Sequence, residues 1–179
     1  VGRGDRIDIQ AGEARDAAEE IFVLCFPLVL VDTIRRAHPL PAHPFQILVE
    51  HGRTLAPGLA GNDIRVVVSS AFFDLTDAPT LLRLPNTHGR HFTLTLIDAA
   101  GEPFAGIGSR TGDDAGVDLA LVGPDWTGPL PAGLTTKRAP SNLVWGVSRV
   151  HANSTLDYAE AAAVAQRLWV GTPGDRRDR

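Results

Sequence analysis

Few residue clusters in this chain are spaced for chemistry. His88 and His91 flank Gly89-Arg90, and Asp98 or His151 would be needed to complete a three-ligand metal set. Imidazole and carboxylate are ordinary ligands for zinc and similar ions. The spacing matches no recognised zinc pattern, and a turn histidine followed by a strand histidine explains the same residues, so no metal is expected. Gly106-Ile107-Gly108-Ser109-Arg110-Thr111-Gly112 has the look of a phosphate loop. Such a loop needs its own glycine spacing, a lysine, and a helix opening behind it. None of these is present, and a tight β-turn with glycines at positive φ accounts for the run. Asp113, Asp114 and Asp118 lack the ligand ladder of a calcium loop. No Gly-x-Ser-x-Gly elbow occurs, and a Ser-His-Asp set assembles only by arbitrary choice. Asn153-Ser154-Thr155 meets the glycosylation pattern, which is common by chance. Catalytic residues stay unknown on this reading, and no cofactor is implied.

The totals narrow the classes. With 179 residues, 44% hydrophobic and 21% charged, the chain has the composition of one ordinary globular domain. A net charge of −4 argues against sequence-independent nucleic-acid binding, which needs clustered Lys and Arg. Lys137 is the sole lysine among 17 basic residues, and methionine is absent, a composition that fits coding bias. Cys25 stands alone, so it forms no internal disulfide. Its place in Ile21-Phe22-Val23-Leu24-Cys25-Phe26 reads as that of a small buried hydrophobe. The apolar run from Ile21 to Val31 is about half the roughly 20 residues of a spanning helix. It lacks the basic flank of a leader. The expectation is a buried helix, no membrane span, and a cytoplasmic location for the sequence as written, with export open if a leader precedes Val1.

Those residues must be positioned by a mainly β chain. Residues 1–10 read as a flexible tail, 11–170 as a single domain, and 171–179 as a second tail. Within the domain, 11–60 is helical in character, with two short helices expected on either side of Pro27, because proline lacks the N–H and clashes with the preceding turn. His38 to Pro44 is a proline-rich, extended connector. The stretch 61–151 carries strands at Ile64–Phe73, Thr80–Leu84, Val117–Val122 and Asn142–Val150, the last with Leu143, Trp145 and Val147 on one apolar side. Phe92, Leu94 and Leu96 alternate with Thr93 and Thr95, the period-two mark of a strand with one buried face. Gly and Pro punctuation suits an antiparallel sandwich. A C-terminal helix is expected over 154–169, capped by Ser154 or Thr155. Trp126, Trp145 and Trp169 read as core and seam residues.

Three blocks then recur in order: Gly108-Ser109-Arg110-Thr111-Gly112, then Val122-Gly123-Pro124-Asp125-Trp126-Thr127-Gly128-Pro129-Leu130-Pro131, then Pro140-Ser141-Asn142-Leu143-Val144-Trp145 with Arg149. With Phe26-Pro27-Leu28, Asp74-Leu75, Gly89-Arg90-His91-Phe92, Asp157 and Gln166, this series resembles the family named domain of unknown function 1254, over roughly residues 20–170. The resemblance implies an immunoglobulin-like antiparallel β-sandwich with an N-terminal helical segment and a C-terminal helix. In longer relatives a second β domain, a jelly roll, follows. One motif departs: where the family carries Asn-x-Asp-Thr-x-Tyr-Ser, this chain has Asn62-Asp63-Ile64-Arg65-Val66-Val67-Val68-Ser69, which weakens an enzymatic reading.

The arginines that match the family are Arg90, Arg110 and Arg149. Guanidinium forks recognise carboxylate or phosphate in a bidentate way, so these residues with Asp98 are the candidate binding set for a small anionic ligand. The competing expectation is that they tie strand ends to Asp74, Asp98 or Asp157. The function expected first is a binding or scaffold module acting with a second β domain, supplied by a separate chain. The alternative is an enzyme or anion-binding protein with a pocket near Arg90, Arg110 and Asp98.

Overall fold

Alternating apolar residues and Gly/Pro punctuation build two facing sheets flanked by helices. The computed structural model describes residues 11–37, 45–47, 49–50, 53–54, 65–113 and 115–175. The tail at 1–10 and the connector at 38–44 lie outside them. Helix α1 spans Ala11–Ala37, and the strands are β1 (Gln46–Ile47), β2 (Val49–Glu50), β3 (Arg53–Thr54), β4 (Val66–Asp74), β5 (Thr80–Leu84), β6 (Phe92–Ile97), β7 (Pro103–Gly108), β8 (Val117–Val122), β9 (Thr135–Arg138), β10 (Leu143–His151) and β11 (Trp169–Gly171). Helix α2 spans Tyr158–Gln166. One sheet has the order β1-β4-β10-β6-β7, the other β11-β5-β8-β9, and β2 and β3 form a separate hairpin. Pairing is antiparallel except between β8 and β9, which run parallel. The fold is mainly β with an N-terminal and a C-terminal helix.

The core lies between the sheets and under α2. Phe92, Leu94 and Leu96 from β6 meet Leu82 and Leu84 from β5 and Leu119 and Leu121 from β8. Strand β10 presents its other face from the one its apolar residues suggest. Val144, Gly146, Ser148 and Val150 are buried, with Val144 and Val150 in the main core, whereas Trp145 and Val147 join a smaller cluster with Val68. The reason is α2, which packs on β4 and β10. Ala161, Val164 and Ala165 of that helix join Val144 and Val150 in the core, while Gly146 makes room for Phe73 and Phe45, whose rings would stand 2.8 and 3.4 Å from a Cβ there.

That arrangement carries a cost. Ser69 and Ser148 are register partners, 1% and 0% exposed, and neither hydroxyl has a hydrogen-bond partner among the described residues. A buried hydroxyl without a partner costs about 1–3 kcal/mol. The double variant Ser69→Ala/Ser148→Ala should therefore be more stable than the parent, raising Tm by a few degrees, roughly 2–4 °C per kcal/mol. A lower Tm in thermal melts would reveal that the hydroxyls hold a bond or a water.

Five further expectations change. The stretch 11–60, expected to be helical in character, carries strands β1, β2 and β3 beyond α1. Helix α1 runs unbroken through Pro27; the proline removes one donor, for the Val23 carbonyl, and in an exposed helix solvent can satisfy that group. The apolar run is not buried: Cys25 and its neighbours are exposed, and the helix meets the sandwich where Pro27 and Val31 lie against Gly101. Helix α2 is shorter than 154–169, because Trp169 leaves it to pair with Arg83 as strand β11. Residues 171–175 continue from that strand into a 3-10 turn, Pro173–Asp175, where a tail was expected.

Candidate functional site

Strand direction decides which functional residues can meet. The turns at 85–91, 109–116 and 152–157 gather at one end of the sandwich, and those at 75–79, 98–102 and 139–142 at the other. Arg90, Arg110 and Arg149 are brought to the first end. Arg149 stands opposite Thr93, and Thr93 opposite Gly108, from which the turn bearing Arg110 departs. Two strand spacings put Arg149 and Gly108 about 10 Å apart. Asp98 is at the other end of β6 from Arg90, roughly 25 Å away at the rise of a strand. There its carboxylate accepts the N–H groups of Ala100 and Glu102, both at 2.9 Å, and shapes that turn. Asp98 therefore shares no pocket with Arg90.

Arg90 is committed to a carboxylate of its own chain. Its Nη1 and Nη2 donate to Asp157 Oδ2 and Oδ1 at 2.5 and 2.7 Å, and Nη1 also donates to the His151 carbonyl at 2.9 Å. The Arg90 fork and the Asn153 N–H hold the Asp157 carboxyl down at about 2. One guanidinium thus ties the turn before β6, the end of β10 and the start of α2. Arg110 and Arg149 are exposed and have no partner among the described residues. His88 and His91 are exposed, and the His88 backbone N–H donates to Asn86 Oδ1. The nearby hydroxyls are engaged: Ser109 Oγ accepts the Phe92 N–H, and Thr111 Oγ1 accepts the Gly108 N–H.

A cleft of about 800 Å³ opens at the same end, lined by Arg83, Asn86, Gly116, Asp118 and Arg167 among others. Arg83 donates to Asp118 at 2.8 and 3.1 Å and lies 5.5 Å over the Trp169 ring. Sequence reading passed over this pair. A lone arginine in the apolar Thr80–Leu84 run was the available signal, but its partner follows only once β5 is known to pair with β8.

The other end is built from close backbone contacts. Leu75 N–H donates to the Asn142 carbonyl at 2.8 Å. Gly123 packs so tightly here that a Cβ would stand 2.5 Å from Asn142 Oδ1 and 3.0 Å from the Leu75 carbonyl oxygen. Arg138, also unforeseen, donates to the carbonyls of Gly123, Pro124 and Trp126 at 3.0, 2.7 and 2.8 Å. Leu75, Gly123 and Asn142, one residue from each of three family-matching blocks, therefore pack directly on one another.

The family described as protein of unknown function (DUF1254) matches residues 59–171. The chain belongs to that family. The crystal structure of the VPA0106 protein from Vibrio parahaemolyticus is similar in fold to this DUF1254 chain, with a TM-score of 0.69 at 20% identity. The match covers 92% of this chain and 41% of that one, so this chain spans less than half the length of that relative. No curated protein matches it.

A further surface feature among the described residues is α1. Eight large apolar side chains between Ile21 and Leu30 expose from 46% to 74% of their area. Exposed apolar patches of this extent mark interaction sites in folded proteins. No helix among the described residues is long and apolar enough to cross a membrane.

Proposed function

We propose that this DUF1254 chain is a protein-binding module, and that α1 is the surface it presents to its partner. The exposed apolar run of α1 is the observation that carries this reading. The sandwich supports it from the other side: Arg83, Arg90 and Arg138, which have the fork geometry for ligand recognition, are taken up by Asp118, by Asp157 and by backbone carbonyls. The class of partner is a folded protein surface, and the second β domain implied by the family resemblance belongs to that class. The test is native mass spectrometry of the tagged chain recovered from its own cells, alongside a Phe22→Glu/Val29→Glu variant. The expected result is a stoichiometric protein partner on the parent chain that is lost from the variant. Identical spectra for the two, whether bare or loaded, would remove α1 from the function.

A further inference from the structure

We infer that the partner of α1 is the α1 of a second copy of this chain, packed antiparallel across a two-fold axis near Pro27. This rests on the reading of α1 as a binding surface and names its occupant. Helix α1 meets the sandwich through Pro27 and Val31, which lie against Gly101. At about 3.6 residues per turn, Phe22, Phe26 and Val29 fall on the opposite face of the helix, turned away from the sandwich. They expose 65%, 50% and 60% of their area, and the two phenyl rings lie 5.5 Å apart along the helix.

The stripe continues in both directions at alternating steps of three and four residues, through Glu19 toward the N-terminus and through Thr33 and Arg36 toward the C-terminus. This is the spacing of a helix-pairing seam. Its charges are self-complementary in one orientation, and Glu19 and Arg36 stay well exposed although each also pairs along its own helix, with Arg15 at 3.0 Å and Asp32 at 2.6 Å. Laid antiparallel about Pro27, Glu19 of each copy faces Arg36 of the other, while Phe26 faces Val29. A parallel pair would set Glu19 against Glu19. An interface of this kind is isologous, the same patch serving both copies. Phe22, Phe26 and Val29 form the apolar centre of this seam, and the other exposed side chains of the run, Ile21, Val23, Leu24, Leu28 and Leu30, flank it or lie on other faces of the helix. The apolar run also suits a protein better than a bilayer, since at about 1.5 Å per residue it is roughly half as long as a hydrocarbon core is thick.

Sedimentation and native mass spectrometry of the full chain at micromolar concentrations should give twice the 19.1 kDa chain mass. Phe22→Glu/Val29→Glu should be monomeric with its sandwich melt intact. Glu19→Arg and Arg36→Glu should each weaken the homodimer on the order of tenfold. The double variant Glu19→Arg/Arg36→Glu should restore the homodimer to the parent's strength after each single reversal has weakened it, a pattern only the antiparallel register gives, because in a parallel pair each reversal merely exchanges one like-charge contact for another. A Glu19→Arg homodimer tighter than the parent would overturn that register. A parent chain monomeric at 100 µM, or one that binds phosphatidylcholine vesicles in place of itself, would overturn the self-pairing. In that case an apolar-surface dye bound by the parent and not by Phe22→Glu/Val29→Glu would leave the binding-surface reading standing. No dye binding by either would remove both.

Discussion

Gly108→Ala is expected to unfold this domain roughly 10 °C below the parent, while Gly106→Ala, two residues away in the same strand, leaves the melt within a degree or two. Gly108 closes β7 at φ 144° and ψ −151°, a backbone region that is essentially glycine's alone, where another residue costs about 1–3 kcal/mol. A Cβ there would also stand 2.2 Å from the carbonyl oxygen of Phe92. That oxygen belongs to the paired β6 strand, so relief requires moving backbone, at a further cost of about 1–3 kcal/mol. Together these reach roughly 3–5 kcal/mol, and a domain of this size loses about 2–4 °C per kcal/mol. Gly106 has neither problem, with nothing within 4 Å of its would-be Cβ and no positive φ. Thermal melts followed by circular dichroism decide the matter. Equal melts for the two variants would show that the β6–β7 approach is loose, and that the glycine run serves something other than the fold.

The same contrast shows what sequence pattern can and cannot reveal. Strands β5, β6 and β8 were legible because Leu82, Leu84, Phe92, Leu94, Leu96, Leu119 and Leu121 declare their own burial. Strand β9 was not, because Thr135-Thr136-Lys137-Arg138 is polar and owes its strand state to pairing with β8. The inner face of β10 is hidden from sequence for a related reason: Gly146 and Ser148 look like surface residues, yet Phe73 and Phe45 cover the glycine and the serine is fully buried. Sequence read the apolar run of α1 as core, since hydrophobicity says that a surface seeks cover and never which molecule supplies it. Among the arginines, sequence offers Asp74, Asp98 or Asp157 as ties for Arg90, Arg110 and Arg149 without saying which goes with which, and the structure joins Arg90 to Asp157. Arg138 could not be paired in this way, because its partners are carbonyl oxygens, which every residue possesses and no sequence marks.

Replacing Arg90 tests whether its fork is a tie or a clamp. Arg90→Ala removes two bonds to Asp157 and one to the His151 carbonyl at a site where the two side chains are only 15% and 20% exposed. Removing one member of a largely buried pair strands the other charge, and a loss of roughly 5–10 °C in Tm is expected at pH 7. The pH dependence gives the sharper readout. The Asp157 carboxyl sits at about 2 in the folded chain, against 3.8 for the free group, chiefly because of Arg90 and then the Asn153 N–H. Between those values the unfolded chain binds the proton that the folded chain refuses, so falling pH favours unfolding. The contribution of the pair is therefore complete above about pH 5, diminishes as pH drops below about 4, and is lost through about pH 2. Urea midpoints of parent and Arg90→Ala should differ by a constant amount from pH 5 to pH 8 and converge below that. Arg90→Lys keeps the charge without the planar fork and should recover less than half of the gap. A variant as stable as the parent at every pH would free Arg90 from the fold and return it, with Arg110 and Arg149 at the same end of the sandwich, to the service of an anionic ligand.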